Sequence, residues 1–234
     1  MNINFETQHF QTVVVLIVIS VNYWIFINNK DDESMKTLLI GATGATGSDL
    51  LELLLNDGEV ESVDIFVRRD PGIEHPKLST HVIDFEKPDE WKNLVKGDVL
   101  FSCLGTTLKD AGSKKAQWKV DYDYQYSFAK AASENGVGCY VLVSAMNASS
   151  SSSIFYSRMK GKLDEDVSKL GFPKLFIHKP PSLIRKGSDR KMEKLGVKVI
   201  SFFNRFGMLK YMKPMKTTEL AKELLDSAKN GHKF

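Results

Sequence analysis

Apolar and polar positions along this chain fall into two periods. Short apolar runs at residues 37–40, 63–67, 81–85, 99–104, 140–144 and 175–178 have the length of buried strands. Helix-length segments at 45–56, 116–135 and 155–170 lie between several of them. A last segment, 217–229, carries Glu219 in its first turn and Lys229 near its end, charges that suit the two ends of a helix dipole. Gly136 and Gly138 close the second of these helices and Gly171 the third, where helix C-termini favour glycine. Strands alternating with helices predict βαβ units and an α/β fold on a parallel, doubly wound sheet.

The longest apolar run precedes this pattern. Residues 13–27 hold only Ser20 and Asn22 as polar positions. As a helix that run spans about 22 Å, short of a hydrocarbon core of about 30 Å, whereas the uncharged stretch 10–29 reaches across. No Lys or Arg precedes the run and no small-residue cleavage site follows it, which argues against a secretory signal peptide. Two readings stand. One is a membrane anchor, with Lys30 and Lys36 favouring a body on the cytoplasmic side; the other is an upstream extension ahead of a start at Met35. The expected location is therefore cytoplasmic, membrane-attached where the tail is part of the protein.

Composition narrows the class. With 26% charged and 42% hydrophobic residues in 234, disorder, collagen-like repeats and a polytopic membrane protein are excluded. The net charge of +3 divides unevenly: residues 1–34 hold Lys30 against Glu6, Asp31, Asp32 and Glu33, which leaves +6 on the rest. Cys103 and Cys139 both fall inside apolar runs and read as reduced core residues. His9, His75, His81, His178 and His232 show no ligand spacing, so no metal site is expected. Residues 149–153 read as a polar surface loop.

Candidate chemistry begins where the first strand ends. Gly41, Thr43, Gly44, Ala45, Thr46 and Gly47 form a glycine-rich loop between that strand and the helix continuing from Ser48. Glycines permit a tight turn and close approach of backbone to a pyrophosphate, which the positive end of the helix then holds. The order strand, loop, helix is what a dinucleotide site requires. Residues 63–67 then run into Arg68 and Arg69, where NAD-selective sites carry an acid for the ribose 2′-hydroxyl. Two guanidinium groups suit a 2′-phosphate and favour NADP(H); the alternative is a solvated loop. Asp84 and Phe85 end the third strand and Cys103, Leu104 and Gly105 the fourth, both at the carboxyl edge where ligands bind in this architecture, or as ordinary strand exits.

Tyrosine followed four residues later by lysine puts both side chains on one helix face. The chain has two such pairs, Tyr126/Lys130 and Tyr156/Lys160, so spacing alone selects nothing. Placement does: Tyr156 begins the helix after the strand that ends at Ser144, whereas Tyr126 lies mid-helix and reads as a packing residue.

Together Gly41, Gly44 and Gly47, the arginine pair, the segment from Cys103 through Thr107, Val120 with Asp121, Leu142 to Ser144, and Tyr156 through Lys160 and Gly161 resemble the atypical short-chain dehydrogenases. The resemblance covers nearly everything after Met35 and is strongest to the Tat-interacting-protein branch of the NmrA-like NAD(P)-binding proteins. It implies a single Rossmann-like domain over 35–234 with a small C-terminal helical extension, residues 1–34 being the apolar tail. It also implies bound NADPH and a catalytic set of Ser144, Tyr156 and Lys160. In such a set Tyr156 is general acid toward a carbonyl oxygen, Lys160 favours its phenolate and binds the nicotinamide ribose, and Ser144 hydrogen-bonds the same oxygen.

Two departures bear on turnover. Lys179, Pro180 and Pro181 stand where many relatives read Arg-Pro-Gly, and no Asn takes the fourth catalytic role of the classical dehydrogenases. From Arg185 to Lys216 ten basic residues face only Asp189 and Glu193, interleaved with apolar and aromatic positions. That segment suits an acidic substrate, an acidic protein or an anionic membrane face, or else is a solvated face over a core stripe. Nucleic acid is not expected, for want of a reading motif and a strongly basic balance. Two functions follow: an NADPH-dependent reductase of a small carbonyl substrate, or a non-catalytic NADPH-binding module that regulates or binds a protein partner.

Overall fold

The computed structural model describes residues 19–20, 34–184 and 214–232. The apolar run 13–27, apart from Ile19 and Ser20, lies outside the described residues, as does the basic stretch from Arg185 up to residue 213. Among the described residues no helix is long and apolar enough to cross a membrane. Two compact units divide the chain, Met1–Ser34 and Met35–Phe234.

Six parallel strands make the sheet of the second unit: β1 (Met35–Ile40), β2 (Val60–Val67), β3 (Leu78–Val82), β4 (Val99–Ser102), β5 (Cys139–Val143) and β6 (Lys174–His178). Their spatial order is β3-β2-β1-β4-β5-β6, so the chain moves outward from β1 in one direction and then restarts beside it in the other. Crevices of this kind open at the carboxyl ends of the central strands. The longer helices are α1 (Ala45–Asn56), α2 (Gln125–Glu134), α3 (Phe155–Val167) and α4 (Thr217–His232).

The alternation of strand side chains builds two cores, one on each face. On one face Leu39, Val63, Ile65, Val99, Phe101 and Val141 meet Leu50, Leu51 and Leu54 of α1 and Leu220, Leu224 and Ala228 of α4. On the other, Leu38, Ile40, Phe66, Leu100, Tyr140 and Leu142 meet Phe128 and Ala132 of α2 and Leu163 and Val167 of α3. The expected C-terminal helix thus shares one face of the sheet with α1. Its Lys229 reaches Asp57 at 2.8 Å and Glu59 at 2.9 Å, tying it to the turn between α1 and β2.

Two boundaries differ from the sequence reading. The third strand runs from Leu78 to Val82, in parallel register with Val63 to Val67, and not over 81–85. As an edge strand it needs no continuous apolar run, and Val82 is exposed. The chain instead turns after it: Asp84 Oδ1 accepts the Glu86 N–H at 3.0 Å, and Phe85 swings into the core against Tyr124 and Trp91. The helix expected over 116–135 is interrupted. Short helices Leu108–Ala111 and Lys114–Trp118 lead into a π-helical turn at Lys119–Tyr124 before α2. There the buried Gln125 side chain donates to the Asp121 carbonyl at 2.8 Å and accepts from Ser102 Oγ at 2.8 Å, clamping the turn to the end of β4.

Candidate active site

The glycine loop owes its shape to two close approaches. Gly41 has φ of +83°, and a Cβ there would strike the backbone of Cys103 and Leu104. A Cβ on Gly47 would strike the Gly41 carbonyl oxygen, so the first turn of α1 packs directly on the loop. Gly44 N–H donates to the Gly41 carbonyl at 2.9 Å, and α1 starts without a side-chain cap or an acid in its first turn. Its first N–H groups are left for an anion.

Above that loop lies a cleft of about 490 Å³ at the carboxyl edge of the sheet. It brings together ten residues anticipated from the sequence: Thr43, Gly44, Ala45, Thr46, Cys103, Leu104, Gly105, Ser144, Tyr156 and Lys160. Gly41 and Gly47 support it from beneath. Cys103 sits just past β4, partly exposed on the cleft wall, and not inside a buried strand as expected; Cys139 is buried in β5. Burial pushes the Cys103 thiol up to about 12, with the Lys160 ammonium pulling the other way.

Four anticipated positions do not line the cleft. Phe85 is core. Asp84 is exposed, its carbonyl accepting the Trp91 indole N–H at 2.9 Å. Arg68 and Arg69 lie exposed just beyond β2, whose Phe66 pairs with Ile40 immediately before the glycine loop. The nearby carboxylates are committed elsewhere. Asp64 bonds His81 Nε2 at 2.6 Å, and Asp70 accepts the Gly72 N–H at 2.8 Å.

The polar heart of the cleft is made by β5 and α3. Ser144 is buried, its N–H donates to the His178 carbonyl at 2.8 Å, and its Oγ has no hydrogen-bond partner among the described residues. Lys160, only 3% exposed, donates from Nζ to the Val143 carbonyl at 3.0 Å. Burial lowers its pKa, opposed by Asp121, Asp164 and Cys103. Tyr156 lies one turn earlier on α3, half-exposed; burial of its ring and then the charge of Asp121 raise its pKa.

Asp121 is the residue that sequence reasoning missed as part of the site. It lines the cleft from the π-helical turn, 2% exposed, and its Oδ2 accepts the Thr106 N–H at 3.1 Å. Burial pushes it up to about 6, against the pull of Lys160 and of that N–H. Its signal in the sequence was the pair Val120 and Asp121 among the motifs of the family resemblance, to which no role in the site was attached. Its partner in space is 39 positions away on another helix, which no local pattern displays. Thr106 and Thr107, in the strand-exit segment singled out from the sequence, line the cleft as well, and Leu183 and Thr217 line it without having been anticipated.

The residues present fit a nicotinamide dinucleotide. The glycine cradle leaves no room for a side chain at Gly41 or Gly47, the helix N–H groups are available for a pyrophosphate, and Ser144 Oγ has no partner among the described residues where the cleft also holds Tyr156 and Lys160.

Comparison with known proteins agrees with this geometry. A family profile described as NAD(P)H-binding matches residues 41–167. "Protein FMP52, mitochondrial" of Candida albicans is 31% identical over 84% of this chain and 89% of its own length. The protein of the same name from Meyerozyma guilliermondii is 36% identical over 83% of this chain and 85% of its own. Among solved structures, a short-chain dehydrogenase/reductase superfamily protein from Agrobacterium tumefaciens with bound NAD superposes with a TM-score of 0.61 at 14% identity, covering 81% of this chain and 72% of that one. The likeness establishes the Rossmann-like α/β fold with its C-terminal helix. The names of the two relatives correct the expectation of a cytoplasmic location. Lysines beside an apolar run orient a span in whichever membrane it enters; they carry no information on the compartment.

Proposed function

We propose a function from one premise: this chain belongs to the NAD(P)H-binding family and to the FMP52 proteins. It is an NADPH-dependent reductase of a small carbonyl compound, and the observation that carries this reading is the convergence of Ser144, Tyr156 and Lys160 on one wall of the cleft. The glycine loop and the first turn of α1 would hold a nicotinamide dinucleotide, which when bound would supply the hydride for the carbonyl carbon. Tyr156 gives its phenolic proton to the carbonyl oxygen as C=O becomes C–OH. Burial and the Asp121 charge raise the Tyr156 pKa, so its phenol carries a proton to give at neutral pH. Ser144 Oγ, without another partner among the described residues, donates to the same oxygen. Lys160, anchored on the Val143 carbonyl, keeps its remaining ammonium N–H groups for the nicotinamide ribose.

Preference for NADPH over NADH is supported by Arg68 and Arg69, exposed beside the glycine loop, and by the commitment of Asp64 and Asp70 to other partners. Membership of the Tat-interacting-protein branch of the NmrA-like proteins rests on the motifs from Gly41 to Gly161. In this reading residues 35–234 form the dinucleotide-binding domain and residues 1–34 a tail outside it. A mitochondrial location is supported by the names of the relatives and is tested by subcellular fractionation.

The test is consumption of NADPH with a panel of small aldehydes and ketones. Tyr156→Phe should lower turnover by about 10²–10⁴-fold with NADPH affinity unchanged. A second reading, a non-catalytic NADPH-binding module that docks a protein, is favoured by exposed Ile154 next to half-exposed Tyr156. It predicts no consumption by either protein.

A further inference from the structure

Outside the dinucleotide cleft, one corner of the domain combines aromatic rings with cations. The short helix Lys114–Trp118 and the start of α3 enclose a cavity of about 440 Å³, lined by Lys114, Lys115, Trp118, Lys119, Asp123 and Phe155. None of these residues lines the cleft.

The corner is firmly set before any ligand arrives. Ser113 Oγ caps the short helix by accepting the Ala116 N–H at 3.1 Å, and the buried Gln117 side chain donates to the Thr106 carbonyl at 3.1 Å. Trp118 packs on Tyr122 with ring centroids 5.0 Å apart and on Phe155 at 6.2 Å. Both cavity-lining rings are half-buried, so they offer a recessed apolar surface that a ligand need not order.

Helix geometry separates the charges around that recess. Lys114 and Lys115 are consecutive and therefore diverge by about 100° around the helix axis. Lys114 Nζ stands 5.5 Å from the Phe155 ring centroid, and Lys119 pairs with Glu86 at 2.7 Å. Asp123, the one carboxylate on the wall among the described residues, already accepts a hydrogen bond from Trp118 and feels the Lys119 charge. Cations splayed in this way do not converge on a single phosphate. They match carboxylates spaced along an extended chain, with an apolar side chain between them entering the recess. A bilayer surface is flat, and here the rings are recessed while Lys114 and Lys115 are exposed, the reverse of a face that inserts into lipid.

We propose that this corner docks an acidic segment of a partner protein, one large apolar side chain resting against Trp118 and Phe155 and flanking carboxylates meeting Lys114 and Lys115. The docking site uses no residue of the cleft and stands apart from the reductase reading.

The test uses the fluorescein-labelled peptide DEEWEED, titrated into the full chain and followed by anisotropy. Saturable binding is expected, weakened about tenfold or more when alanine replaces the peptide's tryptophan, and likewise by the paired substitutions Lys114→Glu and Lys115→Glu. Trp118→Ala should cost a similar factor; the two lysines are exposed, so their variant gives the answer even where the tryptophan variant fails to fold. Absence of saturable binding, equal binding of the charge-reversed peptide KRRWRRK, or indifference of DEEWEED to the lysine pair overturns the proposal. So does cosedimentation with vesicles of equal parts phosphatidylcholine and phosphatidylserine that the lysine variant abolishes and the peptide fails to compete.

Discussion

Replacing Asp121 by Asn changes one charge at the centre of the cleft and almost nothing else. The amide has the same shape and keeps an oxygen for the Thr106 N–H that Asp121 Oδ2 now accepts at 3.1 Å. Burial raises the Asp121 pKa from 3.8 to about 6, even with Lys160 and Thr106 opposing. Between those values the folded protein binds the extra proton and the unfolded chain does not. The contribution to stability is therefore complete below about pH 4 and is lost as pH rises through about 6. A shift of about two units is worth about 3 kcal/mol, which is the order of the cost of keeping this carboxylate ionised at neutral pH. Asp121→Asn escapes that loss. Urea unfolding of both proteins, in steps from about pH 4 to about pH 8, should show the variant gaining on the wild type as pH rises, toward about 3 kcal/mol above pH 7. A gap independent of pH, or a variant weaker at neutral pH, would refute the argument, because attraction between Asp121 and Lys160 would then outweigh the burial penalty.

Three further outcomes follow from the geometry. Gly41→Ala forces a side chain into a positive-φ position against the Cys103 backbone; it should cost about 2 kcal/mol or more in denaturant unfolding and abolish NADPH binding, measured by fluorescence. Arg68→Ala should weaken NADPH by about tenfold while leaving NADH unchanged; equal loss of both would remove the 2′-phosphate assignment. Lys229→Ala should cost about 1 kcal/mol at neutral pH. Burial works against ionised Asp57, but the Lys229 hydrogen bond and charge bring its pKa down overall, so that difference should fade as acid protonates Asp57 below about pH 4.

What the sequence displayed and what it hid divide along physical lines. The glycine loop was legible because its geometry is local: Gly41, Gly44 and Gly47 sit within two turns of chain and serve one helix start. Tyr156 and Lys160 were legible because helical spacing and the preceding strand end fixed their face. Edge strand β3 was misplaced because half-exposed strands dilute the apolar signal, and Phe85, apolar and next to a strand, is core through an Asx-type turn. Asp121 stayed hidden as a site residue because its significance arises only when the end of β4, the π-helical turn and α3 close on each other.

Leu183–Ile184 pairs in parallel with Met215–Lys216, and the flanking Leu183 and Thr217 both line the cleft. These two short strands thus form a clip at the rim of the cleft. A change that loosens the pairing of Leu183–Ile184 with Met215–Lys216 is therefore delivered to the rim of the cleft, where Leu183 and Thr217 stand. Such a clip couples the mouth of the cleft to two chain segments far apart in sequence, while the six-stranded sheet and the glycine cradle are built without it.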